Sequence, residues 1–224
     1  MSASRKEIQA GAVMLGLFFV LWAMVAAGLS RGWDDAAFCE INRVLSAGTL
    51  DPLMVIAAVY GREYVWVPVV FLAWVLGGHR SRRGALLMAI SFLVAIGAGL
   101  LLKEVYYRPR PFLTLSCDHV LVTKDLDSSF PSGHALIVFS GATVAMLYFK
   151  RAAWVPLLME ATLVSYSRVY VGVHYPTDVV AGALLGSSIS LLVVGFLDGT
   201  AFLEELQTSL EGAYQAVLER MRRL

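Results

Sequence analysis

The sequence predicts an all-α, polytopic integral membrane protein. It has six transmembrane helices, a composite site at one membrane face and a C-terminal amphipathic helix. Three observations carry this prediction. First, of 224 residues 58% are hydrophobic and only 16% charged, with mean hydropathy +0.69; a soluble domain carries roughly 25% charged residues. Second, the apolar residues fall into blocks near the roughly 17–25 residues that cross a bilayer. Third, the strongest cations, two imidazoles and a carboxylate sit at the edges of those blocks, where a membrane protein keeps charges for use. The net charge of +1 says nothing about partners; its distribution does. The expected partner is the lipid bilayer, not a nucleic acid.

The first span covers about Ile8–Leu29 behind Arg5 and Lys6. Its apolar stretch exceeds the roughly 7–15 residues of a signal-peptide core, so it reads as a retained helix. Residues 31–51 are mixed and polar. Pro52–Tyr60 is apolar, Gly61-Arg62-Glu63 interrupts, and Tyr64–Gly78 follows, so a short interfacial or re-entrant helix feeds a second span. The third span is Gly84–Leu102, and a polar, Pro-rich loop covers about Tyr106–Pro131. Ser132–Phe149, Ala152–Ser167 and about Asp178–Leu197 complete the set. Residues 1–200 thus form one membrane domain and 201–224 a separate helix. In that tail Leu203, Leu206, Leu210, Tyr214, Val217, Met221 and Leu224 recur at three- and four-residue steps. Early Glu204, Glu205 and Glu211 and late Arg220, Arg222 and Arg223 suit the helix dipole. Such a helix lies on the inner membrane surface or, alternatively, pairs in a homodimer.

Orientation follows from Lys and Arg in short loops. Arg5, Lys6, Arg80, Arg82, Arg83, Lys150, Arg151, Arg220, Arg222 and Arg223 share one side. Arg31, Arg43, Arg62, Arg108, Lys124 and the cations of the motifs below share the other. With the motif cations set aside as site residues, both termini are cytoplasmic and the site faces outward from the cell membrane. Cys39 and Cys117, the only cysteines, exclude a disulfide framework and a cysteine-based zinc cluster. They fall on one side and can pair if it is oxidising; two unpaired thiols are the simpler expectation.

Three distant segments carry the chemistry. In the first, Lys103 ends a span and Arg110-Pro111 follows; Pro109 and Pro111 hold Arg110 in extended chain. Arg offers a planar fork to phosphate oxygens and Lys a point charge. The alternative is an ordinary interfacial cation snorkelling to headgroups, the favoured reading for Arg108. In the second, Pro131-Ser132-Gly133-His134 opens a helix, where unpaired N–H groups bind anions. Ser132 caps that helix or donates to a ligand, Gly133 permits close approach, and His134 can exchange a proton near neutral pH. In the third, Ser167-Arg168 is followed by His174 and, four residues on, Asp178. With Pro176 in the first helical turn, Asp178 reaches back to one ring nitrogen of His174. The other nitrogen is then a nucleophile, its developing charge balanced by the carboxylate. A plain helix-capping His–Asp pair is the alternative.

Together these segments resemble the type-2 phosphatidic acid phosphatase family of membrane lipid phosphatases. That family's signatures, Lys-x6-Arg-Pro, Pro-Ser-Gly-His and Ser-Arg-x5-His-x3-Asp, are matched without departure by Lys103 to Pro111, Pro131 to His134 and Ser167 to Asp178. The resemblance spans roughly Asp51 to Gly195. It implies that His174 attacks phosphorus to form a phosphohistidine and that Asp178 orients it. It further implies that His134 protonates the leaving oxygen and then activates water, while Lys103, Arg110, Arg168, Ser132 and the Gly133 N–H hold the phosphoryl oxygens. No metal and no cofactor are implied, and the chain has neither a carboxylate cluster for magnesium nor zinc-type spacing.

Other polar residues carry weaker expectations. Glu160, deep in the fifth span, reads as a protonated or hydrogen-bonded carboxyl facing the bundle interior rather than a proton path. Asp118, Asp125 and Asp127 read as a solvated loop face and His119 as a loop residue; Tyr106, Tyr107 and Phe112 suit an aromatic belt. The expected substrate is a lipid phosphate. A polyprenyl diphosphate is favoured because short loops suit a headgroup without glycerol; phosphatidylglycerophosphate and phosphatidic acid come next. A phosphotransferase passing phosphate to an alcohol is the alternative. A vanadate-dependent haloperoxidase is disfavoured by the spans, and a transporter by charges gathered at one face.

Overall fold

The computed structural model describes residues 2–44, 48–116 and 119–222, and among them every regular element is helical. In order these are α1 (Ser2–Ala26), α2 (Arg31–Cys39), a π-helical turn (Glu40–Val44), α3 (Asp51–Tyr60), α4 (Glu63–Val75), α5 (His79–Val105), α6 (Pro111–Thr114), α7 (Gly133–Tyr148), α8 (Arg151–Tyr170), α9 (Pro176–Leu197) and α10 (Ala201–Arg222). Proline opens α6 and α9 at their first positions, where its missing N–H would have had no helical partner.

On length and apolar composition, α1, α5 and α9 can each cross a membrane, and α3 with α4, bent by 54° at Gly61-Arg62, can make a fourth span. Helix α7 is apolar but its 16 residues reach only about 24 Å. Helix α8 carries Glu160 and Arg168 within it, which lowers its hydropathy. The break after Tyr60 thus falls where the sequence places it. The mixed, polar stretch 31–51 contains α2 and the π-helical turn.

Helix α7 is the centre of the bundle, flanked by α5, α8 and α9. Helices α7 and α9 meet backbone to backbone: a Cβ on Gly182 would stand 2.5 Å from the Ser132 carbonyl, and one on Gly186 2.1 Å from that of Leu136. Small residues permit this approach, and Ser140 and Ser190 share a hydrogen bond of 2.7 Å across it. Helix α1 lies on the far side of α9, with Ser188 Oγ donating to Gly11 O at 2.8 Å. The α3–α4 bend rests on α8, where Gly61 faces Val164. Glu160 accepts from Trp66 Nε1 at 3.0 Å, in keeping with a carboxyl turned into the bundle. Helix α10 folds back on the start of α5 through buried Leu203 and Gln207, the latter donating to the His79 carbonyl at 3.1 Å. Cys39 is disulfide-bonded, which corrects the expectation of an unpaired thiol there; Cys117 and Asp118 lie outside the described residues.

Candidate active site

The C-termini of α5 and α8 and the N-termini of α7 and α9 end at one face of the bundle, and the three motifs meet there. The α7–α9 contact sets the spacing directly: the Ser132 N–H donates to the Asp178 carbonyl at 3.0 Å. The Phe130–Pro131 peptide bond leading into α7 is cis.

Arg110 is only 3% exposed. Its Nη1 donates to the Val173 carbonyl at 2.9 Å and stands 3.4 Å from His174 Nε2. On the other side of the His174 ring, Nδ1 lies 3.5 Å from Asp178 Oδ2. The expected His–Asp pair is therefore present as a close approach, with Nδ1 beyond full hydrogen-bond geometry, and Nε2 faces the cations. Arg168 is buried and anchored by one donation from Nη1 to the Ala58 carbonyl at 2.9 Å, while its Nε has no partner. Ser132 is the residue preceding α7, yet its buried hydroxyl makes no capping bond and has no partner among the described residues. A buried, unpaired hydroxyl and guanidinium N–H in one place need a partner from elsewhere. His134 stands in the first turn of α7, with Arg168, Arg62, His174 and Lys103 as the charged and ionisable groups around it. A Cβ on Gly133 would meet nothing nearer than Arg62 Nη1, at 4.0 Å. The glycine thus borders open space on the site side. The eight expected site residues are accordingly brought together.

Burial and the Arg110, Arg168 and Lys103 charges hold the His174 imidazole well below its ordinary pKa. The ring is neutral in the unliganded protein, as a nucleophile requires.

Three residues act differently from their sequence reading, and a fourth, Asp34, had none. Arg108 is no headgroup cation. It is largely enclosed, with Nη2 on Asp34 Oδ2 and Nη1 on Asp178 Oδ1, each at 2.6 Å, and its guanidinium lies over the Tyr175 ring at 4.0 Å. Burial disfavours its charge, but Asp178 and Asp34 outweigh that and raise its pKa. Asp34, from α2, is fully buried and also accepts from the Thr177 N–H at 3.1 Å. Asp178 is thus clamped from below by Arg108 and capped by the Tyr175 N–H at 2.9 Å. Asp127 is more than a solvated loop carboxylate: half exposed, it bridges Lys103 and Arg110. Burial opposes its ionisation, yet those hydrogen bonds prevail and hold its carboxyl at about 2. Arg62, read as a loop cation, borders the site at the α3–α4 bend. The one sequence signal for Arg108 was its place inside the first motif; Asp34 had none. His119 stays in the loop, its N–H donating to Asn42 Oδ1 at 2.6 Å.

A family model described as the PAP2 superfamily matches residues 84–200. The chain belongs to that family. An undecaprenyl-diphosphatase of Sulfolobus acidocaldarius is 45% identical over 185 residues, which are 81% of this chain and 88% of that protein. Phosphatidylglycerophosphatase B of Bacillus subtilis is 29% identical over 82% of this chain and 93% of its own length. Among solved structures, a transmembrane PAP2-type phosphatidylglycerolphosphate phosphatase from Bacillus subtilis superposes with TM-score 0.67 at 24% identity. It covers 83% of this chain and 94% of its own, a likeness of fold. This chain is an integral membrane lipid phosphatase of the family.

Proposed function

We propose that the chain removes the terminal phosphate of a polyprenyl diphosphate at the outer leaflet through a phosphohistidine on His174. The observation that carries this reading is the His174 ring itself. It is neutral, with Nδ1 towards Asp178 and Nε2 3.4 Å from the Arg110 guanidinium that would hold the phosphate. Nε2 attacks phosphorus, the P–N bond forms, and the P–O bond to the lipid phosphate breaks. Protonated His134 donates to the leaving oxygen. Neutral His134 then takes a proton from water as its oxygen attacks phosphorus, releasing inorganic phosphate and restoring His174. Lys103, Arg110, Arg168, Ser132 Oγ and the Gly133 N–H stabilise the transferring oxygens, so the reaction needs no metal. The 45% identical relative named for undecaprenyl diphosphate favours a diphosphate. So does Arg62, which stands on the His134 side, where the second phosphate would lie.

In this reading α1, the bent α3–α4 pair, α5, α7, α8 and α9 are six spans with both termini cytoplasmic. The Arg80, Arg82, Arg83, Lys150 and Arg151 cluster then lies inside and the site outside. Helix α10, with Phe202, Leu210, Val217 and Met221 exposed, lies along the inner surface.

The test is phosphate release by purified protein in detergent with EDTA. Undecaprenyl diphosphate, phosphatidylglycerophosphate and phosphatidic acid are offered in parallel, beside His174→Ala. Release that survives EDTA, is fastest with the diphosphate and vanishes in the variant is expected. Release that the variant retains sinks the His174 assignment, and loss with EDTA sinks metal independence. A phosphorylated alcohol formed without release of inorganic phosphate, when an alcohol acceptor is added, makes the chain a phosphotransferase.

A further inference from the structure

The two cations that would seat the phosphate already hold an anion. Lys103 Nζ pairs with Asp127 Oδ2. Arg110 Nη2 donates to Asp127 Oδ1 at 2.5 Å and its Nε to the Asp127 carbonyl at 3.3 Å. One carboxylate oxygen faces each cation, as two oxygens of a phosphoryl group would. The Asp127 side chain is 50% exposed, whereas that of Arg110 beneath it is 3% exposed. The carboxylate therefore sits at the mouth of the site, over its floor.

The chain around Asp127 is anchored independently of that carboxylate. The Ser129 N–H donates to the Arg108 carbonyl at 2.9 Å, and Ser128 Oγ donates to the Tyr106 carbonyl at 2.9 Å. A side-chain rotation can lift the carboxylate off both cations while these backbone ties, and the Arg110 Nε donation to the Asp127 carbonyl, persist. A phosphate and a carboxylate cannot share the same two cations without like charges standing a few ångströms apart.

We propose that Asp127 is an internal competitor for the ligand: its carboxylate occupies the phosphate seat between Lys103 and Arg110 until a binding phosphate displaces it. The proposal takes its meaning from the phosphatase reading above. Every anion must displace the same carboxylate, so all bind more weakly by a common factor and only ligands with further contacts stay bound at low concentration. A lipid diphosphate adds a second phosphate and a membrane-held tail. Inorganic phosphate, the product, has neither, and the returning carboxylate helps to expel it.

The experiment is calorimetric titration of inorganic phosphate into the full-length protein in detergent, comparing wild type with Asp127→Asn and Asp127→Ser. Both variants are expected to bind phosphate at least about tenfold more tightly, ~1.4 kcal/mol, and Arg110→Gln to lose the binding. If Asp127 instead organises the cations for the ligand, both variants will bind phosphate equally or more weakly, and the proposal falls. Titration reads binding without turnover. Failure of lipid hydrolysis in the same preparations would therefore overturn the phosphatase reading and leave the Asp127 result standing. Product inhibition gives a second readout: phosphate should inhibit the variants at lower concentration than wild type, and unchanged inhibition counts against displacement.

Discussion

Replacing Arg108 by Met removes the one cation that stands between two carboxylates. The guanidinium lies between Asp34 and Asp178, both fully buried, at 2.6 Å from each, and it also donates to Thr177 Oγ1 at 2.7 Å. Met keeps most of the volume and leaves two carboxylates facing each other without a cation. Removing one partner of a buried pair costs about 3–5 kcal/mol, chiefly from the stranded charge. The double variant Arg108→Met/Asp34→Asn strands one carboxylate instead of two. It should therefore be more stable than Arg108→Met alone, although Asp34→Asn by itself is destabilising because it weakens the Arg108 and Thr177 contacts. That reversal of sign is a coupling energy, measurable by a double-mutant cycle of unfolding free energies in mixed micelles. The catalytic readout follows the same logic. Asp178 without Arg108 no longer sits as a fixed anion behind His174, and misplacing a catalytic group by about 1 Å costs roughly 100-fold in rate. kcat should fall while KM for the lipid changes little. An Arg108→Met protein as stable as wild type, or a double variant whose loss equals the sum of the singles, would refute the clamp.

Other perturbations separate structure from chemistry. Ser132→Ala deletes a buried hydroxyl with no partner. Stability should hold or rise by up to about 1–3 kcal/mol while kcat/KM drops at least about tenfold; a thermal melt beside the activity assay checks both, and a destabilised protein would mean the hydroxyl has a structural partner. Gly186→Ala drives a methyl to 2.1 Å from the Leu136 carbonyl, so it should cost about 1–3 kcal/mol and activity together; a melt unchanged from wild type would mean the two helices are not in backbone contact. pH tests His174, whose folded pKa lies well below the ordinary 6.5. The unfolded chain binds the proton first as pH falls through that value, so stability declines below about pH 6.5, by up to ~1.4 kcal/mol per pH unit. His174→Gln should show a shallower decline in unfolding free energy between pH 6.5 and 5; equal slopes would place the titration elsewhere.

His174, Asp178, Ser132 and Arg168 were legible in the sequence because each works within a few residues of its own helix end. Local spacing fixes such neighbours: a proline at the first turn of α9 brings Asp178 beneath His174 whatever the rest of the chain does. Asp34 was illegible for the opposite reason. Its partners lie 74 and 143 residues away at Arg108 and Thr177, and nothing near it marks a buried acid. Asp127 and Arg108 show that charge and loop position alone do not say whether a side chain faces water or another ion. The helices were mostly readable from hydropathy, and the α3–α4 bend from Gly61-Arg62-Glu63. The short α7 and the charged α8 cross-check less well on composition, since their burial comes from neighbouring helices and not from length.

The glycine contact between α7 and α9 has a consequence for how such enzymes diversify. His134 and His174, the proposed acid and nucleophile, stand at the starts of two shafts bolted together by Gly182 and Gly186, so their separation does not depend on the loop that roofs them. That roof can be lengthened, shortened or exchanged to suit another headgroup while the chemical step beneath keeps its geometry. The natural point for re-engineering substrate range is therefore the stretch between α6 and Ser128, with the two shafts left alone.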